Sequence, residues 1–129
     1  MASGSYSVAA DLIDWTNTDD VMEASFVLQG AFSVATAANK SVYLYAQLKA
    51  VDGTNDAPIP TDNYGQIYLG AVGVKDGTTA TQYAPLTDVM IPATRSGQAI
   101  KFYIKNGAGQ SLSAGWKLLI TPKGVGAKA

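Results

Sequence analysis

Five carboxylates crowd the early part of the chain: Asp11, Asp14, Asp19, Asp20 and Glu23. Two carboxylates flanking a glycosidic bond can hydrolyse it if one is kept protonated by its surroundings and the other sits at a defined separation. Five acids packed into one short segment instead repel one another, and they read as a solvated stretch. A second group, Asp52, Asn55, Asp56 and Asp62, lies in the long connection from 52 to 63. Such a loop can offer the several oxygens that a calcium ion needs, and Asp52, Thr54 and Asp56 follow the alternate positions of a helix-loop-helix calcium site. The glycine and closing glutamate of that site are missing, and Pro58 and Pro60 stiffen the loop. Asx turns in a surface connection are the stronger reading, so we expect no metal, with the loop kept as a weak binding candidate.

The rest of the inventory narrows the chemistry further. The chain has no histidine and no cysteine. That excludes thiol nucleophiles, disulfides, Cys/His zinc sites, Ser-His-Asp triads and the residue most used for proton transfer near neutral pH. A Ser–Lys arrangement has no supporting motif. We therefore expect no catalytic residues, no cofactor and no enzyme activity. Hydrophobic residues make up 47% of the 129 and charged residues only 15%, against roughly 25% charged in an average soluble domain. Little charge over much apolar surface points to a chain that covers part of itself with a partner. The net charge of −1 gives no overall basic field for nucleic acid. No apolar run approaches the length of a membrane span, and the first residues lack a basic and then apolar leader.

What remains for function is contact, and the residues for it are aromatic. In Val42-Tyr43-Leu44-Tyr45-Ala46-Gln47-Leu48-Lys49-Ala50-Val51 the alternate residues Val42, Leu44, Ala46, Leu48 and Ala50 form one apolar face, so Tyr43 and Tyr45 point the other way with Gln47 and Lys49. Tyr68 and Tyr103 repeat the pattern, the latter flanked by Lys101 and Lys105. Trp15 sits beside Thr16-Asn17-Thr18 at a rim position, whereas Trp116 opens a strand with Leu118 and Ile120 on its core side. Outward aromatics admit three readings: a subunit interface, stacking on sugar rings, and plain cover for the outer side of a sheet. Interface contact comes first, with Tyr43, Tyr45, Tyr68, Tyr103, Trp15, Lys101 and Lys105 as its residues. Strands divided between two sheets leave open whether Tyr103 shares a face with Tyr43 and Tyr45, so the tyrosines are taken as two patches.

The elements that must position these side chains are strands. Candidate strands run over 6–13, 24–36, 40–51, 65–74, 82–86, 99–106 and 115–122, with Gly and Pro punctuation at short intervals and no long helical period. That spacing predicts an all-β, single antiparallel β-sandwich or jelly-roll-like domain of about 7–8 strands over residues 1–122, followed by a flexible basic tail at 123–129. In the second strand Phe26, Leu28, Gly30, Phe32 and Val34 would face inward, with Gly30 at a bend or bulge. One helical turn is plausible at 19–23. Lys75-Asp76-Gly77-Thr78 and Asn106-Gly107-Ala108-Gly109 read as hairpin turns. Acids dominate the first 39 residues and bases the stretch from Arg95 onward. Either oppositely charged strands are neighbours within one sandwich, or the acidic end of one copy docks on the basic end of the next.

The segments Ser41–Ala46, Val51–Pro58 and Ile67–Gly70, and the ending Ile100–Asn106 with Leu112–Leu118, resemble small virion structural proteins of tailed bacteriophages. The resemblance is one of style and segment order over most of the chain, with no catalytic motif. It implies a β-sandwich made in the host cytoplasm and assembled on the virion, as a capsid decoration or accessory protein or in the tail or its fibres. It also implies partners: other copies of the chain, with a trimer suited to a decoration protein, and virion proteins such as the major capsid protein. Nucleic acid and membrane are not expected partners. The alternative is a tail- or fibre-borne module that recognises a host receptor or carbohydrate.

Overall fold

A computed structural model describes residues 1–7, 15–16, 23–48, 67–90 and 99–123. The strands among them are β1 (Trp15–Thr16), β2 (Glu23–Gly30), β3 (Ser41–Leu48), β4 (Ile67–Gly73), β5 (Gln82–Met90), β6 (Ala99–Gly107) and β7 (Lys117–Lys123). They form two antiparallel sheets, one in the order β1-β6-β3-β4 and the other in the order β5-β2-β7. β1 is a two-residue pairing at the edge, Trp15 opposite Ile100 and Thr16 opposite Ala99. No helix occurs among the described residues. The chain is all-β, as its punctuation predicts.

Period-two alternation builds the core. Val42, Leu44 and Ala46 of β3 and Ile100, Phe102 and Ile104 of β6 turn one way, and Ala24, Phe26 and Leu28 of β2 meet them from the other sheet. All are essentially buried. The rings of Phe26 and Phe102 meet edge-on with centroids 5.0 Å apart, tying the sheets at their centre. Trp116, Leu118 and Ile120 pack partly buried against the same cluster, in keeping with their expected core side.

Several local expectations change. β2 stops at Gly30, and Val34, expected inward, is 53% exposed. Gly30 marks no bulge; a side chain there would crowd Leu112 Cδ1 at 3.1 Å and Trp116 Cβ at 3.2 Å, so its role is to admit the β7 approach. The register irregularities lie elsewhere, between Ala24 and Phe26 against β5 and between Leu44 and Tyr45 against β4. The first places Asp88 in the left-handed region (φ 56°), where its N–H reaches Ser25 Oγ at 3.3 Å. Neither Asp-Gly nor Asn-Gly closes a hairpin. Each connects strands of opposite sheets, β4 to β5 and β6 to β7. Gly77 (φ 68°) donates its N–H to Thr36 O at 3.1 Å, so the turn is pinned to the β2–β3 connection. Glu23 begins β2; the remainder of the expected helical turn lies outside the described residues.

The first residues are zipped onto β6. Ser7 N–H donates to Ile104 O at 2.8 Å, Asn106 N–H to Ser5 O at 2.9 Å, and Gly4 N–H to Asn106 O at 2.6 Å. Asn106, fully buried, ties the arm to the following loop: its Nδ2 donates to Met1 O and Gln110 O, and its Oδ1 accepts from Ala108 N–H. A buried amide with all these partners costs little and specifies one arrangement. The Met1 ammonium donates to Leu112 O at 2.6 Å.

Candidate interaction surface

Cross-strand register decides which outward residues meet. In the β1-β6-β3-β4 sheet Tyr43 is opposite Lys105, Tyr45 is opposite Tyr103 and Gln47 is opposite Lys101. On the other side of β3, Tyr45 is opposite Tyr68. Tyr6 bridges to Lys105 on the side of β6 away from β3. All four expected tyrosines therefore lie on the outer face of one sheet, and the division into two patches is corrected. Tyr6, which the spacing argument passed over, joins them; its place on the first candidate strand was the signal available.

The rings touch in series. Tyr6 and Tyr45 have centroids 5.8 Å apart, Tyr45 and Tyr68 5.6 Å, and Tyr43 and Tyr68 6.4 Å, all tilted. Lys105 Nζ stands 5.2 Å from the Tyr6 centroid, a cation–π distance. Tyr68 is the most open of them at 54%, while Tyr43 and Tyr45 are half-buried. Tyr43 also lies over Gly107. A side chain on Gly107 would run into that ring and come within 2.8 Å of Ser41 O.

Tyr103 departs from the rest. It is on the same face but 1% exposed, and its hydroxyl donates to Gln47 Oε1 at 3.1 Å. It holds its own sheet together and presents no ring to a partner. Lys101 and Lys105 are half-buried on the same strand. Trp15 is placed in β1 beside Ile100; its side chain lies outside the described residues, as do Asp52, Asn55, Asp56 and Asp62. One oppositely charged pair is in register across neighbouring strands, Glu23 of β2 with Lys123 of β7.

A second outward surface escaped the sequence reading. On the β5-β2-β7 sheet three rows run across the strands: Tyr83–Gln29–Lys117, Pro85–Val27–Leu119, and Ser25–Thr121 beside the Thr87–Asp88 bulge. Tyr83 is 63% exposed, Met90 60% and Leu119 44%. Alternation in Tyr83, Pro85 and Thr87 was legible, but which strands they would neighbour was not. Where β4 and β5 approach, an open groove of about 580 Å³ is lined by Tyr68, Leu69, Leu86, Asp88 and Met90 among others.

Chemically, aromatic rings, lysines and a buried amide–phenol pair can hold a surface. Among the described residues no group of three or more Asp, Glu, His or Cys gathers where a cation could sit, and no helix is long and apolar enough to cross a membrane. Compared with known protein families, curated proteins and solved structures, the chain matches none.

Proposed function

We propose that this chain is a non-enzymatic virion structural protein, a capsid decoration or accessory protein, that works by adhesion through the outer faces of its sandwich. The observation that carries the reading is the linked tyrosine strip Tyr6–Tyr45–Tyr68–Tyr43 with Lys105 at its end. Tyrosine supplies large, stiff contact area with a polar tip, the type of residue that dominates protein–protein contacts. The setting rests on the resemblance of segments 41–46, 51–58, 67–70, 100–106 and 112–118 to small virion proteins of tailed phages. The crossing pattern favours the jelly-roll-like form of the sandwich, because among the described strands each consecutive pair except β3–β4 divides between the two sheets. The test is binding to purified particles of the encoding phage. Wild type should co-sediment with them, and the triple variant Tyr43→Ala, Tyr45→Ala, Tyr68→Ala should stay in solution while keeping its fold. Undiminished binding by the triple variant contradicts the assignment.

A tail- or fibre-borne carbohydrate binder is the second reading. It is favoured by the groove beside Tyr68, where an aromatic ring and the Asp88 carboxylate line one opening of about 580 Å³. A glycan array distinguishes it: selective glycan binding lost in Tyr68→Ala supports this reading over adhesion.

A further inference from the structure

Asn106-Gly107 is the one asparagine–glycine pair in the sequence, and the packing imposes both halves of it. Asn106, fully buried, donates from Nδ2 to Met1 O at 3.0 Å and to Gln110 O at 2.9 Å, and its Oδ1 accepts the Ala108 N–H at 3.0 Å. A side-chain amide supplies both the donors and the acceptor, whereas an aspartate has no donor to give. At position 107 a Cβ would run into the Tyr43 ring and come within 2.8 Å of Ser41 O, so glycine is required. An asparagine before glycine is also the pair in which the next backbone nitrogen most readily attacks the side-chain carbonyl, since glycine offers no hindrance. We propose that Asn106 is a deamidation site that the docked arm of residues 1–7 keeps unreacted, and that its conversion after opening bars the arm from docking again.

The step needs only water. Gly107 N gives its proton to solvent base and bonds to Asn106 Cγ; the Cγ–Nδ2 bond breaks and ammonia leaves, closing a five-membered succinimide. Water then adds to one of the two ring carbonyls and opens the ring, to an aspartate or to an isoaspartate. In the folded chain each part of that path is held back. The backbone of Asn106 pairs with the arm, its N–H donating to Ser5 O at 2.9 Å and its O accepting from Gly4 N–H at 2.6 Å. Successive peptide groups of a strand alternate in direction, so Gly107 N–H turns the other way, to Ser41, its partner in register on β3. The attacking nitrogen and the carbon it must reach are thus held by different partners, and burial of Asn106 keeps solvent from the reacting amide.

Opening the arm lifts these restraints together, and the product cannot restore them. A carboxylate has no donor for Met1 O or Gln110 O, and it would set its charge against two carbonyl oxygens in a buried site. An isoaspartate also adds a carbon to the main chain, which puts Gly107 out of register with Ser41. Tyr6 travels with the arm. Its ring lies 5.8 Å from that of Tyr45 and 5.2 Å from Lys105 Nζ, so the tyrosine strip loses a member in the same step. The proposal goes beyond the adhesion reading and does not rest on it, since every group involved belongs to one chain.

Timed peptide mapping by mass spectrometry tests the first part. Cleavage after Lys105 and Lys117 releases 106–117, a peptide with no other asparagine. In mildly alkaline buffer the folded wild type should convert Asn106 at least about tenfold more slowly than the chain unfolded in guanidinium. Equal rates in the two states overturn the proposal. So does conversion in guanidinium no faster at Asn106 than at Asn17, Asn39, Asn55 and Asn63, none of which precedes glycine. Hydrogen exchange tests the second part on Asn106→Asp, a stable copy of one product. Its Gly4 and Ser7 N–H groups should exchange at least about tenfold faster than in wild type; wild-type protection of the arm overturns the proposal. Refolding gives a readout that holds even where that variant does not fold. Wild type aged in guanidinium, returned to buffer and separated by charge, should regain arm protection in its unmodified fraction and lack it in the deamidated one. Equal recovery in both fractions also overturns the proposal.

Discussion

The two outer faces of this sandwich come from the same alternation and end in different states. On the β1-β6-β3-β4 sheet the outward residues are drawn into the fold: Tyr103 is buried and bonded to Gln47, Tyr43 covers Gly107, and Tyr6 carries Lys105. On the β5-β2-β7 sheet Tyr83, Met90 and Leu119 stay open to solvent. An outward-facing position is thus no guarantee of a free side chain. On the tyrosine face Tyr68 alone of the linked rings is largely open, whereas on the other face the large outward side chains are exposed together.

The largest effect should come from the core that both faces share. Phe102→Ala removes the ring that meets Phe26 and should lower unfolding free energy by about 3–5 kcal/mol, read by chemical denaturation. A loss below about 1 kcal/mol would mean the sheets do not depend on this contact. Next, Gly107→Ala should cost about 1–3 kcal/mol because the Tyr43 ring and Ser41 O must move. Adding Tyr43→Ala should return part of that, so the double variant is less destabilised than the sum of the singles. Strict additivity would show that the ring does not cover the glycine. Tyr103→Phe should cost about 0.5–1.5 kcal/mol, since it removes the buried hydroxyl's hydrogen bond to Gln47 Oε1. Leu119→Glu, on the opposite face, should change stability by less than about 0.5 kcal/mol. A large stability loss from Leu119→Glu would erase the distinction between the faces.

Much of this was readable before any coordinates. Alternation in 42–48 and 100–105 assigns the core and outward sets correctly, because a strand has only two sides. What alternation cannot supply is pairing. The order β1-β6-β3-β4 joins residues about sixty apart, and only that register brings Tyr45, Tyr68 and Tyr103 onto one sheet. The Asp-Gly and Asn-Gly turns were legible as turns; that they cross between sheets depends on the partners of β5 and β7, which are also distant in sequence. Val34 misled because its period continues that of β2 although the strand ends at Gly30. Burial of Tyr103 could not be seen either, since its Gln47 partner is set by tertiary register.

Electron microscopy of purified particles of the encoding phage tests the central claim most directly. Repeated density for this chain is expected on the particle surface, with the Tyr43–Tyr45–Tyr68 face turned toward the particle. Particles that lack the chain, or that hold it with the tyrosine face toward solvent, would contradict it.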